Sequence, residues 1–216
     1  MRSPALVIFD CDGVLVDSEH LSHRVLHEML LEQGVAISYE ETIDRFMGTS
    51  TSGFLEGVSA LCGGSIPDGF LGRFREETLA AFAETLTAVP GVEEMLLSLP
   101  VPYCVASNGR HFKMQATLGK TGLLKHFENR IFSSEDVANP KPAPDLFLHA
   151  ARTLGANPRE CIVVEDSPTG VLAARAAGMR VLGYSAMTPS NRLAEAGAHA
   201  VFGSMSQLPP LLYIDL

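Results

Sequence analysis

The chain has 216 residues, 46% of them hydrophobic, and a net charge of −9 from 25 acidic and 16 basic side chains. That length buries a full core with room for a sizeable insertion. The acidic balance without a basic run excludes a nucleic-acid or anionic-membrane surface. No apolar run approaches the roughly 20 residues of a membrane span, and Met1-Arg2-Ser3-Pro4 does not resemble a signal peptide. Cys11, Cys62, Cys104 and Cys161 are widely spaced with no CxxC pair, as expected for reduced core residues of a cytoplasmic protein.

In chain order, Leu6-Val7-Ile8-Phe9 reads as a strand buried on both faces. It ends in Asp10 and Asp12, which share one side of an extended chain because they are two residues apart. Two like charges so close call for a cation or a shared proton. A helix from Asp17 or Ser18 to about Gln33 follows, with Leu21, Val25, Leu26, Met29 and Leu30 on one stripe and Gly34 as its stop. Up to about Thr87 the patterns are helical: Tyr39–Met47, Thr51–Leu61 and Asp68–Leu86, with a polar turn at Gly48-Thr49-Ser50.

From Val89-Pro90-Gly91 onward, short apolar runs alternate with amphipathic helices. Strands are expected at Tyr103–Ala106, Arg130–Phe132, Cys161–Val164, Arg180–Tyr184 and Ala200–Phe202. Helices are expected from about Arg110, over Pro144–Leu154 and over Pro168–Ala177. This alternation predicts an α/β fold with a Rossmann-like parallel sheet, which the opening strand must join. The expected division is a discontinuous core of residues 1–15 and 89–216, with an inserted helical cap of residues 16–88.

Ligands bind beyond the carboxyl ends of the strands in such sheets. Polar residues stand at each such place: Asp10 and Asp12, then Ser107-Asn108-Gly109, then Glu165-Asp166-Ser167, with Lys141 in a proline-stiffened loop. Asp10, Asp12, Glu165 and Asp166 form a hard oxygen cluster suited to Mg²⁺. Ser107 offers a hydroxyl, Asn108 and Gly109 offer N–H groups at a helix start, and Lys141 offers a cation for phosphate oxygens. Each feature alone has an ordinary structural explanation; the set, in this order, does not.

In these four motifs the chain resembles the haloacid dehalogenase superfamily, in its β-phosphoglucomutase-like branch with a helical cap. Asp10-Cys11-Asp12-Gly13-Val14 is similar to the first motif, Ser107 to the second, Lys141 to the third and Glu165-Asp166 to the fourth. The resemblance implies that Asp10 attacks a phosphoryl group and Asp12 serves as acid, then base. It implies Mg²⁺ on Asp10, the Asp12 carbonyl and Asp166, with Glu165 a direct ligand or one through water, and phosphoryl oxygens on Ser107 and Lys141. The implied partner is a small phosphorylated metabolite, met by a monomer or weak homodimer.

The branch holds phosphatases and phosphosugar mutases. The mutases carry a cap His, an Arg after the cap-turn Gly and a cap Lys. The matching positions here are Ser22 and Thr51, and no Lys lies between Val16 and Ala88. A phosphatase is therefore expected, with a mutase as the alternative. Val105–Gly109 with Lys113-Met114-Gln115 and Leu118-Gly119-Lys120 is similar to bacterial 6-phosphogluconate phosphatases. Glu19, His20, Thr49 and Ser50 are the expected cap contacts to substrate, with His23 a further candidate on the same helix. A dehalogenase would not need Asp12 or the Glu165-Asp166 pair, and a non-catalytic binding protein would be expected to have lost part of the set.

Overall fold

The computed structural model describes residues 3–47, 49 and 51–214. In chain order its elements are β1 (Leu6–Phe9), α1 (Ser18–Glu32), α2 (Tyr39–Phe46), α3 (Thr51–Leu61), α4 (Phe70–Thr85), α5 (Val92–Ser98), β2 (Tyr103–Ser107), α6 (His111–Lys120), β3 (Ile131–Ser133), α7 (Asp145–Thr153), β4 (Cys161–Glu165), α8 (Pro168–Ala176), β5 (Arg180–Tyr184), α9 (Ser190–Glu195), β6 (Ala200–Phe202) and α10 (Leu208–Leu211). Two compact units emerge: Met1–Asp17 with Thr87–Leu216, and Ser18–Leu86. Among the described residues no helix is long and apolar enough to cross a membrane.

The first unit is built on a six-stranded sheet in the order β3-β2-β1-β4-β5-β6, with every pair parallel. The opening strand is central: Phe9 aligns with Val105 on one side and Val164 on the other. All four residues of β1 are buried, which explains its unbroken apolar run. Burying each of Leu6, Ile8 and Phe9 contributes about 1.5–3 kcal/mol. Helices α7 and α8 supply Leu146, Phe147, Ala150, Val171 and Ala174 to the same core as Ile8, Cys104 and Val163. In this strand order the sequence of connections reverses at β1, so the crevice at its carboxyl end is where a ligand site belongs. Val16 pairs with both Asp12 and Ala88, tying the two chain segments of this unit together.

The second unit is helical. Leu21, Val25, Leu26, Met29 and Leu30 of α1 are all buried, as the stripe required. Val25, Leu26, Met29 and Leu30 cluster with Phe46, Val58 and Phe70. Gly34 ends the α1 segment at φ +77°, a left-handed value that costs glycine little. Ser38 and Glu41 form a reciprocal capping box at the start of α2.

The expected strands and longer helices appear within a residue or two of their sequence positions. Helices α5, α9 and α10 have no counterpart in the sequence reading. At 7, 6 and 4 residues they are too short for apolar periodicity to register. Cys11, Cys104 and Cys161 are buried free thiols, whereas Cys62 is only half-buried.

Candidate active site

Asp10 follows β1, and its N–H continues the ladder by donating to the Val164 carbonyl at 2.9 Å. Its side chain is nearly enclosed. Lys141 Nζ donates to Asp10 Oδ1 at 2.6 Å and to Glu165 Oε1 at 2.7 Å. Glu165 is the last residue of β4, the neighbouring strand, so two adjacent strand ends present carboxylates to one ammonium group. Lys141 is 6% exposed and Glu165 1%, and the ammonium group lies 4.7 Å from the Phe147 ring centre. Burial pushes Asp10 up to about 7; Lys141 pulls it down, while Glu165 and Asp12 push it further up. Burial alone would lower the Lys141 ammonium, but Asp10 and Glu165 raise it overall.

Lys141 is held by its backbone as well. The Asn108 amide donates Nδ2 to the Lys141 carbonyl at 3.1 Å and accepts from the Lys141 N–H at 3.0 Å. Asn108, expected to offer a backbone donor, thus uses its side chain to clamp the loop that carries the lysine. Ser107 ends β2, and its Oγ accepts from the Gly109 N–H at 3.1 Å, which leaves the hydroxyl hydrogen for a ligand. The expected anion seat at the helix start is different from its sequence reading. The Gly109 N–H is engaged by Ser107, and the first N–H of α6, His111, donates to Glu135 Oε2 at 2.9 Å. Glu135 also accepts from Arg110 Nε at 2.7 Å, so the loop after β2 is tied to the loop after β3.

Glu165 is fully engaged. Its Oε2 accepts from the Ser167 N–H at 3.0 Å and from Ser167 Oγ at 2.9 Å, while Ser167 Oγ accepts from the Gly170 N–H and caps α8. Gly170 makes this possible: a Cβ there would overlap the Glu165 carboxyl group. Sequence reasoning missed Gly170, because glycine inside a helix carries no sign of what it adjoins. Gly170→Ala should displace Glu165 from Lys141 and cost about 1–3 kcal/mol by overpacking. Thermal unfolding should report a fall of roughly 2–4 °C per kcal/mol; an unchanged midpoint would show that Glu165 does not need this space.

Asp166 lies at the end of β4, buried, beside Glu165. Asp12 receives Lys113 Nζ on Oδ2 at 2.8 Å. Lys113 is a second residue that sequence reasoning did not place in the site. Asp10 and Glu165 thus share the Lys141 ammonium, and Asp12 takes that of Lys113. Among the described residues no three His, Cys, Asp or Glu side chains form a ready-made metal cage. Mg²⁺ commonly takes one or two carboxylates and completes its shell with water and substrate oxygens. Asp10, Asp166 and the Asp12 carbonyl fit that demand; Glu165, with both oxygens bonded, fits it only through water.

The helical unit contains a cavity of 360 Å³ lined by Glu19, Ser22, His23, Thr49 and Arg75 over an apolar floor that includes Phe46, Phe54 and Phe74. Glu19 and Thr49 thus lie where a small molecule could be met. His20 does not line this cavity: it is exposed, with its carbonyl accepting from the Tyr39 hydroxyl at 3.1 Å. His23, one helical turn beyond Glu19, takes that place, with Nδ1 2.8 Å from the Glu19 carbonyl and its burial lowering its proton affinity. The difference follows from α1: the buried stripe carries residue 23 with Leu26 and Leu30 and turns residue 20 outward. Ser50 lies outside the described residues.

A family model described as haloacid dehalogenase-like hydrolase matches residues 4–178. The 6-phosphogluconate phosphatase of Escherichia coli is 35% identical over 206 residues, covering 95% of this chain and 93% of the relative. The phosphorylated carbohydrates phosphatase of Thermotoga maritima is 32% identical over 201 residues, covering 90% and 92%. A solved HAD family hydrolase from Deinococcus radiodurans, with bound phosphate and sodium, superposes with a TM-score of 0.86 at 31% identity, covering 98% and 96%. With the four motif positions at the carboxyl ends of one parallel sheet and the match spanning most of the chain, the protein belongs to the haloacid dehalogenase-like hydrolase family.

Proposed function

We propose that the chain is a Mg²⁺-dependent phosphatase of small phosphorylated metabolites, sugar phosphates foremost, acting through an aspartyl-phosphate on Asp10. The observation that carries this reading is the enclosed Asp10 carboxylate, held by Lys141 at 2.6 Å with Asp12 two residues beyond. The phosphatase relatives and their coverage support the reaction class. On this reading residues 1–15 and 89–216 are the catalytic core and residues 16–88 the cap, whose Glu19 and Thr49 recognise the organic part of the substrate.

The steps follow from the residues. An Asp10 oxygen forms a bond to phosphorus while the ester P–O bond breaks, and Asp12 protonates the leaving alkoxide. Lys141 and the Ser107 hydroxyl hold phosphoryl oxygens and neutralise charge that develops there. Asp12, now a carboxylate, takes a proton from water as the water oxygen attacks phosphorus and Asp10 leaves. Bound to Asp10, Asp166 and the Asp12 carbonyl, Mg²⁺ would screen the nucleophile from the anionic substrate and stabilise the transferring group. Glu165 keeps Lys141 in line with Asp10.

Phosphate release screened over sugar phosphates with Mg²⁺, beside p-nitrophenyl phosphate, tests the reading. β-Glucose 1-phosphate with a bisphosphate primer is the decisive comparison. Isomerisation outpacing hydrolysis there would make the protein a mutase.

Metal binding should depend on pH with a defined sign. Without the ion, Asp10 is raised from 3.8 to about 7, chiefly by burial. Below pH 4 this group's contribution to stability is fully present, and it is lost as pH rises through about 7. Mg²⁺ must displace the proton, so its affinity should climb by roughly tenfold per pH unit at most up to about pH 7, then flatten. Calorimetric titrations at pH 6, 7 and 8 measure this; an affinity independent of pH would remove Asp10 from the ligand set.

A further inference from the structure

Asp12 works twice in the proposed cycle, so the direction in which its carboxylate points matters in both steps. A side-chain bond reaches it from 101 residues away. Lys113, on the first turn of α6, donates Nζ to Asp12 Oδ2 at 2.8 Å. The two side chains are 30% and 18% exposed, so the pair is more enclosed than an ordinary surface ion pair. Its platform is well fixed: Glu135 holds Arg110 and His111 at the start of α6, and Met114 and Leu118 are fully buried beneath.

We propose that Lys113 is a positioning residue that holds the Asp12 carboxylate as the base in hydrolysis of the aspartyl-phosphate. The proposal rests on the roles given above to Asp10 and Asp12. In that step the water oxygen bonds to phosphorus, a water proton passes to the Asp12 carboxylate, and the phosphorus–oxygen bond to Asp10 breaks. The electron pair returns to Asp10 as carboxylate. An ammonium group on Oδ2 sets the plane of the Asp12 carboxylate and so the direction from which it accepts the proton. Lys141, bonded to Asp10 and Glu165, does not perform this task.

In a two-step cycle, slowing only the second step lowers kcat and KM together and leaves kcat/KM unchanged. The test uses p-nitrophenyl phosphate with Mg²⁺ and the full chain, because nitrophenolate departs without help from an acid and breakdown of the intermediate then limits turnover. Lys113→Met should lower kcat about tenfold or more, part of the 10²–10⁴ a positioned base contributes, with KM falling in proportion. At a substrate concentration near the wild-type KM, acid-quenched protein should retain more labelled phosphate than wild type. Lys113→Arg, which keeps the charge, should restore most of kcat and covers the case in which the Met variant folds poorly. The proposal is overturned if kcat/KM falls with kcat, if the Met variant turns over normally, or if Arg rescues nothing. A wild-type protein that releases nitrophenol through no labelled intermediate overturns it together with the covalent reading; a wild type that forms the intermediate while the Met variant keeps its kcat overturns only the role of Lys113.

Discussion

Asp10→Asn should abolish Mg²⁺-dependent phosphate release, by roughly 10⁴-fold or more, while leaving the protein folded. The amide has nearly the shape of the carboxylate but lacks the anionic oxygen that attacks phosphorus. Losses of that order accompany removal of a nucleophile elsewhere. The fold should survive because β1 is held by its neighbours, with the Asp10 N–H on the Val164 carbonyl unaffected by the side chain. Stability should even depend less on pH between about 4 and 7, since the carboxyl raised by burial is gone. Circular dichroism establishes folding and a phosphate-release assay measures turnover. Substantial wild-type turnover in this variant would rule Asp10 out as the nucleophile.

Lys141→Met should be the most damaging single change to stability. It leaves Asp10 and Glu165 enclosed together with no cation between them. Breaking a buried pair from one side costs about 3–5 kcal/mol, because the remaining charge is uncompensated. The damage should depend on pH: at pH 5 Asp10, raised by its burial, can take up a proton, and at pH 8 it cannot without a larger cost. Unfolding midpoints at the two pH values therefore separate an electrostatic loss from a packing loss; equal destabilisation would refute the charge account. Turnover should fall by about 10²–10³ or more as the developing phosphoryl charge loses its ammonium partner. Arginine should not rescue it, because the ammonium sits within 4.7 Å of the Phe147 ring centre and leaves little space for a guanidinium.

The candidate site was unusually legible in the amino-acid order, for a physical reason. A parallel sheet puts the carboxyl ends of its strands on one rim, so polar residues directly after Leu6–Phe9, Tyr103–Ala106 and Cys161–Val164 had to share a neighbourhood. Asp10, Ser107 and Glu165 could be placed from strand endings alone. The cap was less legible. Residues 20 and 23 of α1 are helical neighbours at the edge of the buried stripe, where burial of residue 23 and exposure of residue 20 decide which histidine meets the cavity. Short helices α5, α9 and α10 passed unnoticed because fewer than two turns or so give no period to read.

By itself the sequence determined the strand ends, the order of the motifs and the crowding of Asp10 and Asp12, since these depend only on local periodicity and on spacing along one strand. The tertiary structure decided the partners. Lys141 bonds to Asp10 and Glu165, Asn108 clamps the lysine loop, Lys113 reaches Asp12, and Gly170 clears space for Glu165. Each of these joins residues on different elements, so each depends on crossovers and packing that no local pattern records. That is why Asp10, Asp12 and Lys141 were recognisable at once, but that Lys141 bonds to Asp10 and Lys113 to Asp12 became visible only when the sheet was assembled.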